Sequence, residues 1–194
     1  LLHVLLLHME NMQELLEHEF FRMHIHIYIV KACAPKKYFP AKELITECQA
    51  IAAETGAILE FIEEPERAVK DAHVIYTDVW VSMGEPVEVW EKRIADLGPY
   101  QVNAALMANA GAQCRFMHCL PAFHDLKTAV GKEMGEKFGR TDMEVTDEVF
   151  ESERSIVFKE AENRMHTIKA VMAATLNLFW GYDICDSPKC MQIK

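Results

Sequence analysis

The chain has 194 residues, the length of one domain with a substantial core, and 51% of them are hydrophobic, which excludes wholesale disorder. Twenty basic against thirty acidic residues give a net charge of −10, and no basic run occurs, which argues against a nucleic-acid partner. The six cysteines (Cys33, Cys48, Cys114, Cys119, Cys185, Cys190) form no C-x-x-C pair and are too dilute for a disulfide scaffold, so they read as reduced thiols in a cytoplasmic protein.

The apolar run at residues 1–7 lacks a basic flank and a cleavage site and is too short to span a bilayer, so no membrane partner is expected. It reads as a buried strand over 4–7. The chain opens on Leu1 rather than methionine, which suggests part of a longer product. Residues 11–22 follow as a helix, with Leu15, Leu16 and Phe20 at helical spacing. Alternation over 24–30 predicts a second strand. Pro35 and Pro40 bracket a loop. A helix over 41–55 stops at Gly56. A strand over 57–62 and a short helix over 65–71, opened by Pro65, come next.

The strand over 74–77 runs into Asp78-Val79-Trp80-Val81-Ser82-Met83-Gly84-Glu85. Helices are expected over 86–97 and 101–110. A strand over 114–118 then leads into His118-Cys119-Leu120-Pro121, where proline ends the run. An amphipathic helix over 127–138, a short helix or turn over 145–153 and a short strand over 155–158 precede the longest helix, 161–179. The segment from 181 on has no clear period and reads as a loose tail. Strands alternate with helices almost throughout. The expected fold is therefore α/β, a doubly wound, mostly parallel sheet with helices on both faces.

In such a fold the crevice beyond the strands' carboxyl ends takes the ligand. Two strand ends carry suitable residues. Asp78 could hold an ammonium group through a charge-assisted bond, with Ser82 adding a hydroxyl and Met83-Gly84 allowing close backbone approach. It could equally cap an ordinary strand-to-helix turn. Cys119 could act as a nucleophile, but the adjacent His118 would point the other way on an extended strand. A buried structural cysteine is the alternative. His118, Cys119, His124 and His166 could be offered to zinc, but their spacing matches no common zinc pattern, and no metal is expected. Arg164, read as lying near the start of the long helix, could clamp phosphate or a polarised carbonyl with help from the helix dipole, or form a surface ion pair one turn away. Dinucleotide, nucleoside-triphosphate and serine-hydrolase loops are all missing from the sequence.

Taken together, the D-V-W-V-S-M-G-E and H-C-L-P stretches, with Glu144-Val145-Thr146-Asp147-Glu148-Val149-Phe150-Glu151 and Glu162-Asn163-Arg164-Met165-His166-Thr167, resemble the aspartate/ornithine carbamoyltransferase family. Within it they are most similar to the ornithine carbamoyltransferases. The match runs from about Pro35 to Leu176, in the family's order. The resemblance implies transfer of a carbamoyl group from carbamoyl phosphate to the δ-amine of L-ornithine, giving citrulline and phosphate in arginine metabolism, without metal or organic cofactor. It implies that Asp78, Ser82 and Met83 hold the amino-acid end of ornithine and that Cys119 sits beside the reacting amine. Cys119, the Leu120 carbonyl and Arg164 would meet carbamoyl phosphate, with Cys119 and Arg164 in the catalytic roles.

The same resemblance divides the chain. Residues 1–178 look like the second, ornithine-binding domain, with 1–34 atypical, and 179–194 are a divergent tail. The family's carbamoyl-phosphate motifs, S-T-R-T and H-P-T-Q, do not occur, so the first domain is expected to be missing. In the family the site lies between the two domains and borrows a loop within a homotrimer. Asn11 stands where the asparagine that binds the ornithine carboxylate would be, although the family's Gly-Asp turn before it is replaced by Leu7-His8-Met9-Glu10. The alternatives are a folded, non-catalytic remnant that binds ornithine or a partner, and a related carbamoyltransferase with another amine acceptor.

Overall fold

A computed structural model describes residues 2–7, 28–82 and 84–175. The helix expected over 11–22, most of the segment expected as a strand over 24–30, and the tail lie outside the described residues. The chain divides into two compact units, Leu1–Val157 and Phe158–Lys194.

The first unit is built on five parallel strands: β1 (Leu2–Leu7), β2 (Tyr28–Cys33), β3 (Ile58–Ile62), β4 (Val74–Thr77) and β5 (Arg115–His118). Their order in the sheet is β3-β2-β1-β4-β5. Strands one to three step outward in one direction, and β4 returns to the far side of β1, pairing Leu7 with Thr77. The direction of winding therefore reverses at β1, and a crevice opens there beyond the carboxyl ends of β1 and β4. Next along the edge, Thr77 pairs with His118. Asp78 and Cys119 each follow directly on one of these paired residues, which brings the two motifs side by side.

Between the strands lie α1 (Lys42–Thr55), α2 (Pro65–Ala68), α3 (Glu88–Leu97), α4 (Ala104–Ala110), α5 (Ala129–Phe138) and α6 (Asp147–Phe150). In α1, Leu44, Cys48 and Ala52 recur every four residues and form its buried stripe. Gly56, at φ +77, ends the helix in the left-handed region that glycine enters without strain. Asn103 Oδ1 caps α4 by accepting from the Leu106 amide at 2.9 Å, and Thr128 Oγ1 caps α5 through the Gly131 amide at 3.0 Å.

Neighbouring residues along the strands enter two separate cores. Ala32, Phe61 and Tyr76 pack with α1, whereas Cys33, Ile62 and Ile75 join Trp80, Trp90, Leu97, Leu106 and Phe116. Alternation of side chains across a pleated strand gives this split, and it confirms helices on both faces of a parallel sheet.

Several expected boundaries differ from the structure. Residues 155–158 do not form a strand: only an isolated bridge between Phe116 and Ser155 forms, and α7 (Val157–Thr175) has already begun. The Ile156 amide donates to the Phe116 carbonyl at 2.9 Å, so a single bridge takes the place of a sixth strand. Likewise, β2 runs through Cys33 rather than ending at Val30, because Ala32 and Cys33 are small, fully buried and register-paired with Phe61 and Ile62.

α7 starts four residues earlier than expected and carries Phe158, Met165, Ile168, Val171 and Met172 exposed along it. Among the described residues no helix is long and apolar enough to cross a membrane.

The core also sets an alkaline limit. Burial, with Glu64 nearby, pushes the Cys33 thiol from 9.0 up to about 12. Burial likewise raises Tyr38 and Tyr100 from 10.0 to about 12. Raised acids favour the folded state while they stay protonated. Their contribution is whole below about pH 9 and is lost as the pH climbs towards 12. Thermal midpoints measured from pH 8 to 12 should fall across that window, and Cys33→Ala should soften the onset near pH 9. A flat profile would contradict this assignment.

Candidate active site

Asp78, Val79, Ser82, Cys119, Leu120, Pro121 and Phe123 line one cavity of about 190 Å³ at the β4–β5 edge. Asp78 Oδ1 accepts from the Val79 amide at 2.7 Å. Its other carboxylate oxygen makes no hydrogen bond or ion pair with any described residue. A carboxylate half-committed to the backbone and open to a cavity is suited to receive a cationic amine.

The loop that carries Asp78 is held from below. Trp80 and Val81 are almost fully buried, and the Arg140 guanidinium lies 5.4 Å from the Trp80 ring. Such a cation–π contact contributes on the order of 0.5–2 kcal/mol. Arg140 is itself fixed by donating from Nε to the Asp142 carbonyl at 3.0 Å. Two consecutive apolar anchors, Trp80 and Val81, are thus held inside, while Asp78 and Ser82 on either side of them line the cavity.

On β5, His118 and Cys119 part company. The His118 ring is fully buried, with Nε2 3.2 Å from Glu144 Oε1, an ion-pair separation without an aligned hydrogen bond. Cys119 lines the cavity as a half-buried, reduced thiol. Histidine is thereby directed away from the thiol, as strand geometry predicts. The Leu120–Pro121 peptide is cis, and Leu120 is exposed at the rim.

Glu144, given no role by any expectation from the sequence, braces this edge. Its segment is clamped on two sides: the Val102 amide donates to the Glu144 carbonyl at 2.9 Å, and the Met143 amide donates to the Phe123 carbonyl at 2.8 Å. Its side chain is fully buried and accepts from the Phe123 amide at 2.6 Å. Oε2 has no hydrogen-bond partner among the described residues. Glu144 thus ties the wall of the cavity, through Phe123, to the strand end at His118. The flanking Met143 and Val145, both buried, were the available local signal.

The expected residues are distributed unevenly. Asp78, Ser82, Cys119 and Leu120 come together. Asn11 and Met83 lie outside the described residues. Arg164 is exposed on α7, in the second unit, eight residues into the helix rather than near its start. Helix-dipole support is confined to the first turn and so does not reach it. His124, offered as one of four zinc ligands, instead pairs with Asp147 at 2.7 Å beside Asp125, and its ring stacks on Phe150 at 3.7 Å.

A larger cavity of about 830 Å³ lies elsewhere in the first unit, lined by Glu63, Glu64, Asp96, Tyr100 and neighbours. Two of its acids are already engaged, Glu63 by the Lys36 amide and Asp96 by Lys37 and Tyr38. It contains no residue of either motif. Convergence of chemically able residues favours the smaller cavity over size.

Thiol chemistry gives a direct check on this geometry. Among Cys33, Cys48, Cys114 and Cys119, only Cys119 is not buried. Peptide mapping after brief alkylation should find Cys119 modified first of these four. Equal labelling of Cys33 or Cys114 would contradict the described packing.

Residues 9–175 match the family described as aspartate/ornithine carbamoyltransferase, Asp/Orn binding domain. A catabolic ornithine carbamoyltransferase of Treponema denticola is 59% identical over 145 residues, which are 75% of this chain and 43% of that protein. The corresponding protein of Burkholderia pseudomallei is 55% identical over 150 residues, covering 76% of this chain and 45% of its own length. The chain therefore spans less than half the length of these relatives. Among solved structures, ornithine carbamoyltransferase from Pyrococcus furiosus superposes with a TM-score of 0.69 at 36% identity, covering 89% of this chain and 49% of that one.

Proposed function

The chain belongs to the aspartate/ornithine carbamoyltransferase family, and from that premise we propose that it supplies the ornithine half of an ornithine carbamoyltransferase site. The reaction joins the δ-nitrogen of L-ornithine to the carbamoyl carbon of carbamoyl phosphate. The carbon–oxygen bond to phosphate breaks, the amine loses a proton, and citrulline and phosphate leave. No electrons are exchanged and the acyl group arrives already activated, so the chemistry calls for no redox cofactor and rests on positioning and charge.

The observation that carries this reading is the Asp78 carboxylate, one oxygen uncommitted among the described residues, opening on the same cavity as Cys119. In this reading Asp78 takes the α-ammonium of ornithine, and Ser82, Met83 and Asn11 hold the rest of its amino-acid end. Cys119 lies beside the δ-amine as a lining group, its histidine neighbour being turned towards Glu144. The Leu120 carbonyl and Arg164 serve the carbamoyl phosphate side. Residues 1–178 act as the second domain, with 179–194 as a tail, and the phosphate half comes from a first domain with its own donors. The working form is a cytoplasmic homotrimer in arginine metabolism.

Citrulline formation tests the proposal. The chain alone should form none from ornithine and carbamoyl phosphate. Fused behind the first domain of a relative such as the Treponema denticola protein, it should turn over. Sustained turnover by the chain alone would overturn the division of the site, and an inactive, folded fusion would overturn the proposed activity.

A further inference from the structure

The loop after β4 is closed by its own carboxylate. The Ser82 amide donates to Glu85 Oε2 at 3.0 Å, and the Glu85 amide donates back to the Ser82 carbonyl at 3.2 Å. A side-chain bond and a backbone bond thus span the same four residues. Gly84, at φ +98, supplies the left-handed turn between them.

Glu85 is in turn held from α3. Its Oε1 lies 3.9 Å from Arg93 Nη2, with both side chains largely shielded. The Arg93 guanidinium sits 4.9 Å from the Tyr38 ring, and the Tyr38 hydroxyl donates to Asp96 at 2.7 Å. Asp96 is also 2.6 Å from Lys37. One polar chain therefore runs from Ser82 through Glu85 and Arg93 to the turn after β2.

We infer that Glu85 is a positioning residue for the amino-acid substrate: it fixes the Ser82 end of the loop, and Arg93 fixes Glu85. This rests on the functional reading above, in which Ser82 meets ornithine. Glu85 itself need not touch the substrate. A charged acceptor strengthens its bond to an amide, and the arginine orients the carboxylate that accepts it. A misplacement of about 1 Å at a binding loop can lower turnover on the order of 100-fold, so a closed turn matters to the site it carries.

Two variants separate the roles of the acceptor and the charge. Glu85→Gln keeps an oxygen for the Ser82 amide and loses the pairing with Arg93. Glu85→Ala loses both. In the chain as it stands, Ser82 amide exchange followed by NMR should accelerate roughly tenfold or more in Glu85→Ala and by less in Glu85→Gln, as loss of a charge-assisted bond implies. The thermal midpoint should move by no more than about 4 °C, since Glu85 itself is only half-buried and belongs to neither core. In the fusion with a first domain, the KM for ornithine should rise about tenfold in Glu85→Ala, with the glutamine variant in between. Unchanged Ser82 exchange in Glu85→Ala overturns the inference, as does faster exchange with an unchanged KM. A wild-type fusion that makes no citrulline sinks the functional reading instead, and Ser82 exchange then decides whether Glu85 shapes the turn.

Discussion

Asp78→Asn should weaken ornithine use by the completed enzyme by roughly two to three orders of magnitude, as loss of one partner from a desolvated charge pair implies. Asparagine has the same shape and can still accept from the Val79 amide, which Asp78 does at 2.7 Å. The fold and the loop path should therefore survive. What disappears is the negative charge on the oxygen that opens to the cavity. The effect should appear in the KM for ornithine, with carbamoyl phosphate saturating. Asp78→Ala should do the same and also loosen the loop, because the Val79 amide loses its acceptor. A KM within threefold of wild type in Asp78→Asn would remove Asp78 from the ammonium site.

The second large effect is on stability. Glu144→Ala should cost roughly 3–5 kcal/mol of folding free energy, the range for breaking a buried pair from one side. Both side chains of the His118–Glu144 contact are fully shielded. The Phe123 amide also loses its acceptor, on the wall of the cavity. For a chain of this length that corresponds to a fall of about 6–20 °C in thermal midpoint. Glu144→Gln keeps an oxygen for Phe123 and should fall by less than half as much. Combining His118→Phe with Glu144→Leu should recover part of the loss, because an apolar pair needs no mutual compensation. A Glu144→Ala protein melting within about 2 °C of wild type would show that the pair does not hold the edge together.

Much of this arrangement is legible in the residues, for physical reasons that can be named. The parallel sheet follows from apolar runs alternating with segments of helical spacing. The placement of Asp78 and Cys119 follows from strand ends alone, since Thr77 and His118 turn out to be register partners. The 155–158 segment misled because Ile156 and Val157 are β-branched, yet Val157 is buried as the first residue of a helix. Tertiary context overrode a local preference. Local sequence puts Arg164 near a helix start because nothing local marks the boundary. Ser155 and Ile156 bridge to β5, and the helix begins immediately afterwards.

The residues that brace the site were harder to read. Glu144, Arg140 and the Glu85–Arg93 pair act on positions 21, 60 and 3–8 residues away in sequence, and only the fold brings the longer pairs together. Trp80 reads as one aromatic in a loop, although it is almost fully buried beside Arg140, between the two residues that line the cavity.

The central claim is that ornithine occupies the cavity between the Asp78 loop and Cys119. Alkylation of Cys119 in the fusion with a first domain measures that occupancy directly. With carbamoyl phosphate or an inert analogue bound, saturating ornithine should slow Cys119 modification about tenfold or more, as a ligand seated over the thiol requires. Aspartate at the same concentration should leave the rate unchanged, and Asp78→Asn should abolish the protection. A Cys119 alkylation rate indifferent to ornithine, in a fusion that makes citrulline, would place the substrate elsewhere and contradict the account.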